Sequence, residues 1–294
     1  VEGRLISSYR ALLPEVVAVR PPHPRLAGSV MAYVGLDLRL DSPLRRRSVA
    51  SATPMLMIDF ETAGRQVSRL DGSGDVFLVR SPVSGVLDAP VDVELSGHHF
   101  GMGVSLTPPG AFALLDLPMH ELAGTPVRLA DIIGEHREQQ LIDQLASAPS
   151  WSDRFDLLDR FLPALLTAGP DPSDAVVHAW QRLNATSGRT LISALADDIG
   201  VRRRRLEALF REQVGVTPKA LARILRFHRA LRLIADETRD TGLAAVAAAC
   251  GYSDQAHLTR EIRALSGTTP RGLCPRVPSN GRAHSFKSAG QAPA

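Results

Sequence analysis

Cysteine is nearly absent from this 294-residue chain: only Cys250 and Cys274 occur. Two cysteines give neither a disulfide framework nor a metal-binding quartet. Aromatic residues make up 5% of the chain. No uncharged apolar run approaches the ~18 residues of a membrane span, so no span is expected. The opening Val1-Glu2-Gly3-Arg4 lacks the basic-then-apolar order of a secretory signal, so cytoplasmic residence is the expectation. What is plentiful is ordinary core material. The chain is 44% hydrophobic, enough for a folded core and long enough for two of them.

The net charge of +3 conceals a division. Residues 189–276 hold 16 Lys and Arg against 9 Asp and Glu, a balance of +7. Residues 1–188 hold 16 against 22, a balance of −6. A basic C-terminal part joined to an acidic part points to a polyanion partner for the former. A solvated basic face is the plainer alternative.

Between about residues 15 and 110, short apolar runs are broken by Gly, Pro and Asp. Met55–Phe60, Asp75–Val79, Val91–Leu95 and Gly101–Leu106 read as strands, with Asp71-Gly72-Ser73-Gly74 as a turn. Many short strands at this spacing suggest a closed barrel or a sandwich. A short helix follows from Pro109. Beyond residue 130 the period becomes helical, through Ile132, Ile133, Leu141, Ile142 and Leu145, then Phe155, Leu158, Phe161, Leu162, Leu165 and Leu166. A third stripe runs through Val176, Val177, Trp180 and Leu183. The expected fold is therefore multidomain α+β: a β-rich, barrel-like (cupin-like) domain over residues 1–130, a helical linker suited to dimerisation over 131–187, an all-α domain over 188–274, and a disordered tail over 275–294.

The last third nearly repeats itself. Gly215-Val216-Thr217-Pro218 recurs as Gly267-Thr268-Thr269-Pro270, and Leu206, Phe210 and Gly215 match Leu258, Ile262 and Gly267, each 52 residues on. Each copy is a short apolar helix, a glycine (Gly200 or Gly251), and a second helix. A left-handed bend at that glycine costs it little. Leu206, Leu209 and Phe210 pin the second helix of the first copy to a core. Ser253 is a good N-cap for the matching helix, whereas Arg202 is not, and Arg202–Arg205 load the first turn with charge that opposes the helix dipole. Pro218 opens a connecting helix to about Asp236, with Leu221, Leu225, His228, Leu231 and Ile234 or Ala235 facing inward. Its length, roughly 28 Å at 1.5 Å per residue, approaches the ~34 Å of one DNA turn. Two helix-turn-helix units joined this way can reach successive major grooves on one side of a duplex.

Other chemistry is thin. Adjacent His98 and His99 project to opposite faces of a strand and cannot easily share a metal. Asp59 and Glu61 share a strand face and offer a cation contact, a common surface arrangement. Ser81 and Ser105 lack a nucleophile-elbow context. Cys250, before the bend glycine, reads as a small buried hydrophobe. No metal, cofactor or catalytic residue is assigned, and the chain is read as a non-enzyme. A helical protein–protein interaction module, or an enzyme with an uncharacterised β-barrel active site, are the alternatives.

Residues from about Ser193 to Leu273 resemble the DNA-binding domain of the AraC/XylS family of transcriptional regulators. The resemblance is carried by Val216-Thr217-Pro218-Lys219, by Phe227-His228-Arg229-Ala230-Leu231, and by the run from Ala248 through Gly251-Tyr252 to Glu261. Upstream, Gly103–Ala111, Leu114-Leu115 and Val127–Gly134 resemble the β-rich regulatory domain of one actinobacterial-type branch. The resemblance implies a sequence-specific regulator of double-stranded DNA. Base reading would fall to Arg203, Arg204, Glu207 and Ala208 in the first unit and to Gln255, Ala256, His257, Thr259 and Arg260 in the second. Arg204 suits a guanine edge and Gln255 an adenine edge. Arg205 and Arg211 suit phosphates, as do the N–H groups opening the helices after Thr217 and Thr269. RNA polymerase, a small-molecule effector and a second copy of the chain are further partners in this reading. This chain departs from the family at Arg202, where a small polar cap is usual, at Ala208, at Ile262 in place of Phe, and after Pro270, where no longer helix closes the domain.

Overall fold

The computed structural model describes residues 16–61, 64–70, 75–236 and 242–273. The expected turn at 71–74, the tail and Cys274 lie outside the described residues. Eight strands form one sheet: β1 (Val16–Arg20), β2 (Val30–Ser48), β3 (Met55–Asp59), β4 (Gly64–Arg69), β5 (Val76–Leu78), β6 (Pro82–Ser84), β7 (Val91–Leu106) and β8 (Val127–Arg128). The segments expected as separate strands at 91–95 and 101–106 are one, because backbone pairing runs straight through Gly97, His98, His99 and Phe100 against Leu40, Arg39, Leu38 and Asp37 of β2. Glycine and histidine weaken an apolar alternation without breaking a ladder made of main-chain groups.

β2 and β7 pair antiparallel from Val30↔Leu106 to Ser48↔Val91. The other edge of β7 is divided. Gly101 to Ser105 pair with β3, and Val91 to Ser96 pair with β4. The main path is β1-β2-β7-β3-β6-β8, with β4 and β5 branching from β7.

The sheet is open, which corrects the barrel-like, cupin-like expectation. Closure requires the last strand to return to the first. Here β1 and the two-residue β8 end the path, and among the described residues no ladder joins them. Splitting β7 between two short ladders sends the strands apart, and a helix guards the β1 edge instead of closure. Arg20 of β1 binds Asp156 and Asp159 at 2.6 and 2.5 Å, and both acids belong to helix α4. Strand edges can be protected by such cover as well as by pairing.

That helix is one of five described between β7 and residue 185: α1 (Pro108–Leu115), which with a 3-10 turn at Met119–Leu122 precedes β8, then α2 (Leu129–Ile133), α3 (Glu135–Ser147), α4 (Trp151–Ala168) and α5 (Asp174–Ala185). Thr107 caps α1 by accepting from the Gly110 N–H, and all eight residues of α1 are buried. Tyr33, Leu56, Ile58, Met102 and Leu106 from the sheet pack with Leu114, Leu145, Phe155, Leu158 and Leu162. The helices over 135–168 thus complete the sheet's core. α5 instead sends Val176, Ala179 and Leu183 into a second core built from the C-terminal helices.

Two buried arginines organise the sheet module. Arg154 of α4 donates from Nε to the Leu145 carbonyl at 2.9 Å. Its guanidinium carbon lies 4.9 Å from the Trp151 ring, 5.5 Å from Phe100 and 5.7 Å from Phe60, so aromatic faces take the place of a carboxylate. Arg65 makes a bidentate pair with Asp59 at 2.9 and 3.1 Å, and Asp59 also accepts the Ser81 N–H at 2.8 Å. Asp59 is therefore an internal strap between β3, β4 and the start of β6, and Glu61 pairs with His98. Neither carboxylate is left for the cation contact considered from sequence. Asp59→Ala should lower stability by about 3–5 kcal/mol, because it strands a buried guanidinium; the urea midpoint of the full chain measures this.

Candidate nucleic-acid interface

Six further helices lie among the described residues: α6 (Ile192–Ile199), α7 (Arg203–Gln213), α8 (Pro218–Ala235), α9 (Leu243–Cys250), α10 (Gln255–Ser266) and α11 (Pro270–Leu273). The helix pairs α6–α7 and α9–α10 turn at Gly200 and Gly251, with φ of 74° and 77°. A Cβ at Gly200 would meet nothing within 4 Å. Glycine is favoured there by the left-handed backbone and not by space. Leu206, Leu209 and Phe210 of α7 and Leu258, Ile262 and Leu265 of α10 enter a shared core with Leu195, Val246 and Cys250. Cys250 is fully buried, and that burial pushes its thiol pKa up.

The connecting helix α8 has 18 residues, about 27 Å of rise. Its buried face is Leu221, Ala222, Ile224, Phe227 and Ala230, whereas Leu225, His228, Leu231 and Ile234 are only partly covered. The expected residues thus flank the buried face: Leu225, Leu231 and Ile234 pack against the core from its edge, and His228 bonds to the Ala50 carbonyl. Phe227, the largest side chain on the helix, is fully buried in that core.

The opposite faces of α7 and α10 are open. Arg203, Arg204 and Ala208 are exposed, and Glu207 is half-buried. On α10, Gln255, Ala256 and Arg260 are exposed, while His257 and Thr259 are half-buried. Several of these side chains already have partners. Arg203 Nε binds Glu207 Oε1 at 2.9 Å. Thr259 donates its hydroxyl to the Gln255 carbonyl at 2.9 Å, and His257 Nδ1 meets Ser253 Oγ at 3.1 Å. Arg202, Arg204, Arg205 and Arg211 are exposed and make no ion pair among the described residues. The Thr217 hydroxyl accepts the Ala220 N–H at 3.1 Å and that of Thr269 accepts the Gly272 N–H at 3.2 Å, so both side chains serve as helix caps.

Residues 195–273 match the family described as a helix-turn-helix domain. With two such units, each turned at a left-handed glycine and each presenting an open polar helix, the chemistry is that of duplex recognition. The chain is a DNA-binding transcriptional regulator of the helix-turn-helix class. Residues 18–128 match a domain of unknown function, DUF6597. Among solved structures, the regulator is similar to a transcriptional regulator with an AraC-type DNA-binding domain from Chromobacterium violaceum, at 28% identity over 34% of this chain and 88% of that one, with a TM-score of 0.31. A probable AraC family regulator from Rhodopseudomonas palustris CGA009 gives 28% identity, 34% and 94% coverage, and a TM-score of 0.32. ToxT from Vibrio cholerae O395 gives 10% identity, 78% and 95% coverage, and a TM-score of 0.37. No curated protein matches the chain. Among the described residues of the regulator, no helix is long and apolar enough to cross a membrane, and no group of three His, Cys, Asp or Glu could hold a metal ion.

The structure adds residues that the sequence reading passed over. The cap of α10 is Asp254 and not Ser253: its carboxylate accepts the His257 N–H at 2.6 Å, while Ser253 Oγ supports the Asp254 carboxylate at 3.2 Å. Both residue types suit an N-cap, and only the extended backbone at Asp254 decides which side chain reaches the third amide. Arg202, by contrast, gives α7 no side-chain cap, as expected. Arg223 of α8 binds Glu261 of α10 at 2.6 Å, a pair 38 residues apart in sequence that fastens the second reading helix to the connecting helix. Beside it the Arg226 guanidinium lies 5.7 Å from the Tyr252 ring, and burial pushes the Tyr252 pKa up to about 12.

The His257 N–H holds the Asp254 carboxyl below its ordinary value. A carboxylate depressed in this way stabilises the fold above its unfolded pKa, and the effect fades as pH falls through the folded one. Asp254→Ala should therefore lower the thermal midpoint at neutral pH, and the gap from the unaltered regulator should close in acid. Melting curves across a pH series, followed by helical circular dichroism, test this.

Proposed function

We propose that the regulator binds double-stranded DNA by placing α7 and α10 in successive major grooves, with residues 188–274 as the DNA-binding domain. The observation that carries this reading is the pairing of two open polar helix faces by one 18-residue helix. Its ~27 Å rise is of the order of one helical turn of DNA. Arg203, Arg204, Glu207 and Ala208 would face bases in one groove, and Gln255, Ala256, His257, Thr259 and Arg260 in the next. Arg204, exposed and without an ion-pair partner among the described residues, is the readiest of the first set to take guanine O6 and N7. Arg203 and Glu207 must first give up each other, a small cost for an exposed pair. Arg205, Arg211 and the helix openings after Thr217 and Thr269 would meet phosphates.

The two units contribute unequally in this proposal. α10 has its cap and an amide side chain in its first turn, so it specifies more. α7 has an uncapped start and an arginine cluster, so it binds more by charge. Residues 1–130 would serve as the regulatory domain, of the actinobacterial-type branch named above, and 131–187 as the helical connection. A small-molecule effector, a second copy and RNA polymerase are the further partners of this reading, in the cytoplasm.

Arg204→Ala and Gln255→Ala should each cost about 1–3 kcal/mol on the preferred site and relax selection at one base position. Arg205→Ala and Arg211→Ala should weaken all duplexes alike and reduce the salt slope by about one each. Binding selection from random duplexes, followed by titration across a salt series, measures both. Unchanged base preference in the first pair would overturn the assignment of reading residues.

A further inference from the structure

The repeated Gly-x-Thr-Pro turns have a use that a free DNA-binding domain would not need. At the first, a Cβ on Gly215 would stand 2.7 Å from the Met119 carbonyl oxygen of the sheet module. Gly215 also has a φ of 91°, so close approach and backbone together exclude other residues. At the second, the Arg47 guanidinium donates to the Gly267 carbonyl at 3.4 Å, and a Cβ on Gly267 would stand 2.8 Å from Arg47 Nη1. Two positions that match 52 residues apart thus both lie against the same sheet module, with Gly267 itself still exposed.

Between them sits Ala50. It follows β2 in the chain, yet it is fully buried in the helical core with Val86. Its N–H donates to the Leu265 carbonyl in the last turn of α10 at 2.8 Å. Its carbonyl accepts from His228 Nε2 of α8 at 2.8 Å. A carbonyl only accepts, so His228 carries its proton on Nε2 toward Ala50. The carbonyls at the end of a helix lack partners within it. In α10 the sheet module satisfies one of them through the peptide of Ala50.

We propose that the sheet module is a clamp that holds both helix-turn-helix units at their Gly-x-Thr-Pro turns and fixes the spacing of the two reading helices on DNA. This rests on the reading of α7 and α10 as the DNA-contacting helices. The module touches the first unit at Met119, the second at Arg47 and Ala50, and the connecting helix at Ala50. A body fixed at these points adds its own restraint on their mutual orientation to that of the shared core and the Arg223–Glu261 pair. An open cleft of about 450 Å³ lies beside the second contact, lined by Arg47, Leu87, Asp88, Arg263 and Gly267. Any event that moves Arg47 and Ala50 relative to Met119 then alters the spacing that DNA reads.

The clamp is tested in the full chain with spin labels on cysteines introduced at Ala208 and Ala256, with Cys250→Ala and Cys274→Ser removing the native thiols. The unaltered clamp should give one narrow distance distribution. Ala50→Trp, which wedges α8 from α10, should shift or broaden it, and Arg47→Ala should broaden it while leaving the sheet folded. If Ala50→Trp does not fold, Arg47→Ala decides. A distribution unchanged in a folded variant overturns the clamp and assigns the spacing to α8. In unlabelled protein, single base pairs inserted between the half-sites should weaken binding, and Arg47→Ala or Ala50→Trp should erase that discrimination by a factor of about 5 to 150, the range of ordinary coupling between sites. Indifference of the unaltered regulator to spacing also overturns the clamp. Failure to bind any duplex would instead overturn the proposed function, and the distance measurement would still judge the clamp.

Discussion

The long antiparallel ladder between β2 and β7 is the constraint on which the rest of the molecule depends. Main-chain pairing from Val30↔Leu106 to Ser48↔Val91, with register shifts between Val30 and Ala32 and between Leu40 and Leu44, makes one long two-stranded ribbon. One end carries Tyr33, Met102 and Val104 into the core beneath α1 and α4. The far end delivers Ala50 and Arg47 to the helix-turn-helix domain. Cross-strand pairs, Arg45 with Glu94 and Arg47 with Asp92, hold that projecting end together where little apolar cover remains.

The open sheet follows from the same ribbon. β7 gives one edge wholly to β2 and divides the other between β3 and β4, so its neighbours diverge and no strand returns to close a ring. The cost of unpaired edges is met by helices. Arg20, Tyr33 and His23 converge on Asp159 of α4, which accepts from all three. The Tyr33 hydroxyl is held protonated by its burial and by this acidic partner. The module is thereby an α+β layer with its own core, joined to the helical core by α5 and by the residues around Ala50.

How much of this was legible in the sequence varies by element. The helix-turn-helix units were readable because their determinants are local: a glycine at the bend, apolar residues three and four apart, and Pro218 at a helix start. Expected and observed helix ends differ there by one residue for α8. β2, the longest strand, was missed because its second half is an exposed ribbon with Pro43 and a run of arginines, which alternation of apolar residues does not reveal. On α8 the expected Leu225 and His228 lie at the edge of the inner face and Phe227 lies within it, since an amphipathic pattern with apolar residues on several sides leaves the exact rotation to whatever packs against it. Asp254 rather than Ser253 as cap turned on one pair of backbone angles.

The sequence by itself determined a basic, twofold-repeated DNA-binding end and an acidic β-rich partner, because charge, turn chemistry and helical period are properties of neighbouring residues. Which side chains remain open on α7 and α10 was partly determined too: hydrophobic pinning of one face leaves the other for solvent. Only the tertiary structure decided that the sheet stays open, that Asp59 is an internal strap, and that Ala50 completes a core in another part of the molecule. Each depends on residues from 6 to 215 positions apart, such as Arg65 on Asp59 and Leu265 on Ala50. Contacts of that kind arise when elements pack, and a chain read in order contains no local trace of them.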